Sequence, residues 1–236
     1  MRIIGFSTGA LAKGDWRAGV QLARTAHLPA LELSALRFQE LEPLIAGLAE
    51  IEWQTWKYVS LHVPSRFDVA DERRVLRLLQ SAEKWRIPFI VHPDVVYTPA
   101  LWRSFGNMLL IENMDKRKPQ GRTVGELRAI FDALPEARFC FDIGHARQVD
   151  PSMTEASLLL RAYGGRLAEV HVSEVNTASR HDPISLNAVR AFQPLAPHIP
   201  ASVPVIIESL IDQGQSNITH EVARVEESLR LLVPVA

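Results

Sequence analysis

The 236-residue sequence predicts an α/β protein folded as a single (β/α)8 barrel over residues 1–236. Two patterns carry this prediction: eight short apolar runs recur at an even pitch, and amphipathic segments separate them. Continuous runs rich in Val, Ile, Leu and Phe are typical of parallel strands buried on both faces. Eight units in this length leave about 30 residues for each strand and helix, which suits a barrel with few insertions.

The predicted strands and helices alternate along the whole chain. The strands cover residues 2–7, 30–34, 58–63, 88–92, 108–113, 138–143, 168–173 and 204–209. The helices cover residues 15–25, 38–51, 71–85, 124–134, 154–163, 185–195 and 218–232, and in 71–85 the apolar side chains form one stripe. Only the fourth connection, 98–105, is too short for a long helix. An open doubly wound sheet alternates similarly, but no G-x-G-x-x-G motif follows the first strand, so the barrel is favoured.

Composition narrows the class of protein. An apolar fraction of 47% excludes disordered, collagen and coiled-coil chains, and a net charge of −1 gives no field that attracts nucleic acid. The single Cys140 cannot form an internal disulfide, and it should lie inside the barrel, because Phe139 and Phe141 alternate with it toward the helices. No signal-peptide core and no membrane span are recognisable, so a cytoplasmic protein without a membrane partner is expected.

Ionisable residues fall at the carboxyl ends of seven of the predicted strands. In chain order they are Glu32, His62, His92, Glu112, Asp142, His171 and Glu208. In a barrel these strand ends meet at one mouth. A single His after an apolar run is more often a hydrogen-bonded core residue, and a single Glu there usually opens a loop. Seven together would need compensation for their burial, which bound divalent cations supply.

The residue types restrict the metal. Oxygen and imidazole ligands without thiolate suit Zn²⁺, Mn²⁺, Fe²⁺ or Co²⁺ more than Ca²⁺ or Mg²⁺, with one to three ions per chain. His145 follows Asp142 by three residues, and Gly144 is expected to let the backbone turn sharply between them.

Two loops carry further polar candidates. The loop 176–183 contains His181 and Arg180, a candidate for anion binding. After the fifth strand, the basic run of Lys116, Arg117 and Lys118 is either an ordinary solvated loop or a clamp for a substrate phosphate.

Six short strings in strand order resemble the xylose-isomerase-like TIM-barrel superfamily. They are SLHVP at 60–64, VHP at 91–93, LIENM at 110–114, FDIGHA at 141–146, VHVS at 170–173 and IIE at 206–208. This superfamily includes sugar and sugar-phosphate isomerases and epimerases and the endonuclease IV family. The resemblance covers essentially the whole chain, and LIENM and FDIGHA are its most specific parts.

The ketose 3-epimerase branch implies a single metal held by Glu112, Asp142, His171 and Glu208. The same resemblance implies that Glu112 and Glu208 are the acid and base that move the substrate proton. It also implies that His145 contacts substrate oxygens near the metal.

The endonuclease IV branch implies two or three zinc ions instead. His62, His92 and Glu112 would surround one ion, with Glu112 bridging to the four-ligand site. A third ion would take His145 and His181, but the family's aspartate two residues before the latter histidine is Ser179 here. The third site would then require Asp182 as a substitute.

Three functions remain open on this basis. The first is a metal-dependent isomerase or epimerase that stabilises an enediolate of a polyol, sugar or phosphosugar. The second is a di- or trinuclear phosphoesterase, and the third is an accessory barrel that binds metal without catalysis. Substrate contacts are expected from His145, Glu32, Arg180, Lys116 and Arg117. The short fourth connection predicts an exposed flank on which a homodimer could form.

Overall fold

The computed structural model describes residues 2–211 and 215–231. The barrel strands are β1 Ile4–Ser7, β2 Ala30–Ser34, β3 Tyr58–His62, β4 Phe89–Val91, β5 Leu109–Glu112, β6 Arg138–Asp142 and β7 Leu167–Val172, followed after a small hairpin by β10 Val205–Ile207. The hairpin consists of β8 Glu174–Val175 and β9 His181–Asp182. The helices are α1 Thr8–Ala12, α2 Trp16–Thr25, α3 Phe38–Ala46, α4 Glu72–Ala82, α5 Pro99–Trp102, α6 Val124–Ala133, α7 Ile143–Val149, α8 Thr154–Tyr163, α9 Leu186–Phe192 and α10 Gln215–Ser228.

The parallel strands close into a barrel in the order β1-β10-β7-β6-β5-β4-β3-β2. Closure requires β1 to pair with both β2 and β10. At Gly5 of β1, strand β2 approaches so closely that a Cβ would collide with the carbonyl oxygen of Ala30. All the barrel pairs are parallel and follow the chain order, as a right-handed succession of β-α units requires. The predicted (β/α)8 TIM-barrel class is therefore confirmed.

Apolar side chains are divided between two layers. The larger layer lies between the strands and the helices and contains Phe139 and Phe141, with Phe139 packed edge-on against Phe131 and Tyr163. The smaller layer lies inside the barrel and consists of Ile90, Leu110, Cys140 and Ala168. The predicted alternation in β6 is confirmed, because Cys140 and the phenylalanines belong to different layers.

A β-bulge interrupts the pairing of β6 with β7. Phe139 pairs with Leu167, but the next residue, Cys140, pairs with Glu169, so Ala168 is the extra residue. Beyond the bulge Asp142 pairs with His171. Without the bulge, Phe141 would pair with Glu169. Glu169 and His171 would then point to the helices, because a one-residue shift exchanges the two faces of a strand. The bulge therefore turns Glu169 and His171 into the barrel.

Short elements at the barrel mouth were not predicted from the sequence. Helix α1 begins directly after β1, where the Ser7 hydroxyl accepts a hydrogen bond from the backbone N–H of Gly9. Helix α7 begins directly after β6, because the Asp142 carboxylate accepts from the backbone N–H of His145 at 2.6 Å. The sixth strand therefore ends one residue earlier than predicted.

The fourth connection is short, as predicted, yet it covers the barrel. It holds α5 and a 3₁₀ turn over Arg103–Met108, in which Trp102 and Phe105 are fully buried. The indole N–H of Trp102 donates to Glu72 of α4 at 2.9 Å, which fastens this connection to its neighbour. The homodimer on this flank stays a prediction. Among the described residues, no helix is long and apolar enough to cross a bilayer.

Candidate metal centre

Four of the predicted ligands meet at the mouth of the barrel, at the carboxyl ends of β5, β6, β7 and β10. One ligand atom from each of Glu112, Asp142, His171 and Glu208 lies within 4.8 Å of the others. His171 Nδ1 is 3.3 Å from Glu112 Oε1 and 3.6 Å from Glu208 Oε2. The first three side chains have no exposed surface, and Glu208 retains 15% of its own.

The local fold leaves one oxygen of Asp142 without a hydrogen bond. Its Oδ1 caps α7 through the backbone N–H of His145, whereas its buried Oδ2 has no hydrogen-bond partner among the described residues. The backbone of Asp142 is fixed by Asn113, whose amide accepts from the N–H and donates to the carbonyl of Asp142, both at 2.8 Å. A buried carboxylate oxygen without a partner is costly. Three carboxylates and one imidazole around it are a donor set that fits a divalent transition metal.

A second group shares Glu112 with the first. His62 Nε2 and His92 Nε2 each lie 3.1 Å from Glu112 Oε2. The other ring nitrogen of His62 donates to the carbonyl oxygen of Val63 at 2.8 Å, so Nδ1 is occupied and Nε2 is the nitrogen that faces Glu112. His92 Nδ1 is buried and has no hydrogen-bond partner in the described part of the chain. These three residues form a second potential ligand set.

A third group contains Asp142, His145 and His181. It contains the two histidines that the endonuclease IV resemblance implied, but neither Ser179 nor the suggested substitute Asp182. The Ser179 hydroxyl accepts a hydrogen bond from Gln148 at 2.8 Å, and the Asp182 carboxylate accepts from the Asn176 amide at 2.7 Å. The carboxylate of this group is therefore supplied by Asp142 of β6.

Gly144 is needed for a different reason than the sequence suggested. It does not have a positive φ, so no sharp left-handed turn occurs there. A Cβ at Gly144 would instead lie 2.5 Å from the carbonyl oxygen of Ser173. The missing side chain allows α7 to pack directly against the end of β7, which brings His145 close to the ligands of the neighbouring strands.

Electrostatic interactions separate the protonation behaviour of the acidic ligands. Burial raises the pKa of Glu112, but the attraction of His92 and His171 outweighs it and holds this pKa well below its ordinary value. Burial and then repulsion from Glu112 raise the pKa of Asp142 to about 8. Burial also raises the pKa of Glu208. Carboxylates with raised pKa values in a shared cluster are typical of sites where a cation is bound or a proton is moved.

The histidines of the second group are affected in opposite directions. Burial lowers the pKa of His92 to about 4. Burial opposes the charge on His62 as well, but the attraction of Glu32 and Glu112 raises its pKa to about 9. His92 is therefore neutral at pH 7, which is the state in which imidazole binds a metal.

A cavity of about 420 Å³ lies above the ligand groups. Six of the predicted metal ligands line it: His62, His92, Glu112, His145, His181 and Glu208. The opposite side is formed by the ends of β1 and β2 with Ser7 and Ser34, and by Lys13 and Leu36. The cavity thus has an ionisable side that carries the candidate ligands and a side with hydroxyl groups.

Of the loop residues predicted to contact the substrate, only some line the cavity. Arg117 lines it, and its guanidinium donates to the Asp115 carboxylate at 3.0 Å and to the carbonyl oxygen of Ser179 at 3.1 Å. Lys118 lines it as well and is paired with Asp94 at 2.8 Å. Both cations therefore already have partners that tie the loops of the mouth together.

Three predicted substrate contacts do not lie on the cavity surface. Lys116 and Arg180 are exposed and lie outside the cavity lining. Glu32 has no exposed surface and lies beside His171 Nε2 at 3.1 Å, below the ligands. A side chain buried in this way cannot touch a substrate in the cavity, so the expected contact from Glu32 is corrected.

The buried residues behind His171 were missed by the sequence analysis. Glu169 is fully buried and contacts His171 Nε2 at 2.8 Å. Tyr58 and Ser60 of β3 donate hydrogen bonds to the same carboxylate. A signal was present, because a Glu two residues before a strand-end His shares its face of the strand.

Fold and ligand groups together define a (β/α)8 barrel with a candidate metal centre at its mouth. No protein-family model and no curated protein matches the sequence. Solved structures match the fold. The 3-keto-D-glucoside 4-epimerase YcjR from E. coli is 11% identical with a TM-score of 0.66, over 97% of this chain and 99% of that chain.

Two further neighbours show the range of this fold. An L-ribulose 3-epimerase is 14% identical with a TM-score of 0.61, over 94% of this chain and 86% of that chain. SacUVDE is 13% identical with a TM-score of 0.52, over 92% of this chain and 84% of that chain. These solved structures share the barrel fold of this chain, so the fold that the resemblance implies is confirmed.

Proposed function

We propose that this protein is a metal-dependent isomerase or epimerase of a small polyol, sugar or phosphosugar. The observation that carries the proposal is the group of Glu112, Asp142, His171 and Glu208 at the base of the cavity. The sugar epimerases among the structural neighbours support it. A divalent ion such as Mn²⁺, Co²⁺, Fe²⁺ or Zn²⁺ held by these four residues would stabilise negative charge that develops on substrate oxygens.

The two glutamates are proposed to have unequal roles in proton transfer. Glu208 lines the cavity, is partly exposed and lies 3.6 Å from His171 and 3.4 Å from His181. Glu112 has no exposed side-chain surface, and histidines contact both of its oxygens. Glu208 is therefore the proposed base that takes the proton from the carbon beside the carbonyl. Glu112, which its lowered pKa keeps ionised at rest, would act as the acid on the other side only after it has taken up a proton. His181, 3.4 Å from Glu208, and His145, whose ring centre is 5.2 Å from that of His181, would orient the substrate oxygens.

Solvent isotope exchange tests this proposal directly. The protein, loaded in turn with each of the four metals, is incubated in D₂O with a panel of ketoses and ketose phosphates. We expect deuterium to enter the carbon beside the carbonyl in at least one substrate. Glu208→Gln should lower that rate by at least about 10²-fold while the fold is retained. Full exchange activity in this variant would contradict the assignment of Glu208.

A second candidate is hydrolysis of a phosphoester by two or three metal ions. The observation that favours it is the shared Glu112, which would join the His62 and His92 group to the four-ligand group. Two neighbouring cations would lower the pKa of a water between them toward ~7. Elemental analysis of protein purified without chelator separates the candidates: one ion per chain favours the epimerase, and two or three favour the phosphoesterase.

Activity assays complete this separation. Hydrolysis of bis-p-nitrophenyl phosphate without any isotope exchange would move the phosphoesterase to first place. Bound metal with neither reaction on any substrate of either panel would favour the accessory barrel without catalysis.

A further inference from the structure

A buried polar layer lies directly below the ligand groups, and neither candidate reaction uses it. Its centre is the carboxylate of Glu169, which has no exposed surface. The apolar layer with Ile90, Leu110 and Cys140 lies in the same barrel interior. A carboxylate in such surroundings needs strong hydrogen-bond partners. The hydrogen-bond partners of Glu169 therefore indicate its role.

Glu169 accepts hydrogen bonds from two donors of β3. The hydroxyl of Tyr58 donates to Oε2, and the hydroxyl of Ser60 donates to Oε1 at 3.3 Å. Its third partner is His171 Nε2, 2.8 Å from Oε1. Because both oxygens of Glu169 already accept from these hydroxyls, the proton in this last contact is assigned to His171 Nε2.

The consequence is that Nδ1 of His171 is left as the ligand atom. With the proton of Nε2 held by Glu169, an imidazole that binds an ion does so through the lone pair of Nδ1. That atom points to the cavity side, where Glu112 Oε1 is 3.3 Å and Glu208 Oε2 is 3.6 Å away. Glu32 Oε2, which lacks a hydrogen bond, lies 3.1 Å from Nε2 and adds a second negative charge on the side away from the cavity.

The local fold is arranged for this contact. The bulge at Ala168 is what places Glu169 opposite Cys140 and His171 opposite Asp142. In a regular strand both side chains would face the helices. A bulge that turns a carboxylate and an imidazole inward together is a positioning device, because it fixes their separation on one rigid strand.

We propose that Glu169, held by Tyr58 and Ser60, is a positioning residue that orients His171 with Nδ1 toward the bound ion. The inference rests on the proposed metal site, since it assigns His171 as a ligand there. Carboxylates that accept from the second nitrogen of a metal-binding histidine raise its basicity and fix its ring, and their loss costs about 10–100-fold in metal affinity.

The test compares metal affinity in Glu169→Gln and in a matched control. Mn²⁺ and Zn²⁺ affinities are measured by competition with a chromogenic chelator. We expect Glu169→Gln to weaken binding about 10–100-fold. Glu72→Gln makes the same chemical change at a buried carboxylate on α4, outside the cavity lining, and should leave affinity unchanged.

A second readout does not depend on metal. In metal-free protein labelled with ¹⁵N-histidine, the Nε2–H proton of His171, assigned with a His171→Asn variant, should resonate far downfield, as expected for a strong hydrogen bond to a carboxylate. Glu169→Gln should move this resonance upfield, because a neutral amide oxygen is a weaker acceptor. Unchanged affinity together with an unchanged resonance would overturn the inference while leaving the metal site intact.

The remaining outcomes are also decisive. If Glu169→Gln does not fold, Tyr58→Phe takes its place, with a smaller loss of affinity expected and no loss contradicting the inference. If wild-type protein binds none of the metals, the proposed function fails and takes this inference with it, whereas unchanged affinity in Glu169→Gln beside a wild type that binds metal overturns this inference alone. Cys140, Glu169 and His171 also form a potential ligand group, so a loss of affinity in Cys140→Ala would place the ion on that side and overturn the inference.

Discussion

Glu72 shows how a single buried carboxylate stabilises the barrel away from its mouth. Its Oε1 accepts from the Trp102 indole at 2.9 Å and from the backbone N–H of Thr98 at 2.8 Å. We expect Glu72→Ala to lower the free energy of unfolding by about 1–3 kcal/mol, because two donors lose their acceptor. Urea denaturation measures the difference. Gln80→Ala, an exposed position on the same helix, should change it little.

The same carboxylate predicts a pH dependence. Burial raises the pKa of Glu72, but the hydrogen bonds from Trp102 and Thr98 outweigh it, so the pKa is lowered. A lowered pKa in the folded state means that ionised Glu72 stabilises the protein above the unfolded-state value and loses this effect as pH falls through the folded-state value. The gap in stability between wild type and Glu72→Ala should therefore narrow below about pH 4.5. A gap that widens on acidification would contradict this.

Single residues also show what the sequence could and could not predict about the site. The four-ligand group was predictable, because the carboxyl ends of the strands of a barrel converge at one mouth. Once eight strands were counted along the chain, His171 and Glu208 could be placed at the ends of the last two. Lys116 and Arg180 were not, because the direction of a loop side chain depends on tertiary partners. Glu32 was placed at the correct strand end, but whether its side chain lies on the cavity side of the ligands or below them depends on packing inside the barrel.

Among the elements, the strands and the long helices were predicted, but the short helices α1 and α7 and the bulge in β7 were not. Helices α1 and α7 have five and seven residues, too few for a hydrophobic period to be visible. The bulge in β7 was also invisible, because Ala168 looks like any apolar strand residue. These short features set the direction of Glu169, His145 and the Asp142 carboxylate. The geometry of the site therefore depends on elements that hydrophobic periodicity in the sequence does not reveal.

The contact of α7 with the end of β7 leads to a prediction at Gly144. Gly144→Ala should destabilise the protein by about 1–3 kcal/mol and weaken metal binding, because the new Cβ meets the carbonyl of Ser173 and must push α7 outward. Thermal unfolding and chelator competition measure the two effects. In Gly125→Ala, at an exposed position of α6 with space for a Cβ, neither effect should appear. Equal behaviour of the two variants would show that the close approach does not matter.

Gln148 of α7 is one of the side chains that hold the hairpin carrying His181. Gln148 Nε2 donates to the carbonyl of Asn176 at 2.6 Å and to the Ser179 hydroxyl at 2.8 Å. Gln148→Ala should therefore raise the hydrogen-exchange rates of the hairpin amides about tenfold, the effect of losing roughly 1.4 kcal/mol of local stability. Gln193→Ala removes a side-chain hydrogen bond to the carbonyl of Glu227, near the end of α9, and should leave the hairpin amides protected.

For the whole molecule, the mouth concentrates carboxyl groups whose ionised forms are costly to bury. Glu112, Asp142, Glu169 and Glu208 are all buried or nearly so around His171. An ion that binds only the folded chain stabilises it by RT ln(1 + [L]/Kd), about 2.7 kcal/mol at a hundredfold excess over Kd. Chelation should therefore lower Tm, by about 2–4 °C for each kcal/mol lost in a domain of this size.

Asp142→Asn is the variant that makes this thermal prediction specific. It keeps the size of the side chain and the oxygen that caps α7, but it replaces the oxygen that lacks a hydrogen bond with an amide nitrogen, which cannot bind a cation. Differential scanning calorimetry with EDTA, and then with Mn²⁺, Co²⁺ or Zn²⁺ restored, should show a Tm rise in wild type and a much smaller one in Asp142→Asn. The variant should also be the more stable of the two without metal at pH 7, because the raised pKa of Asp142 means that this side chain must take up a proton on folding and asparagine need not. A wild-type Tm that no ion changes would mean that the barrel tolerates its buried carboxylates without a cation, and the proposed metal centre would then be wrong.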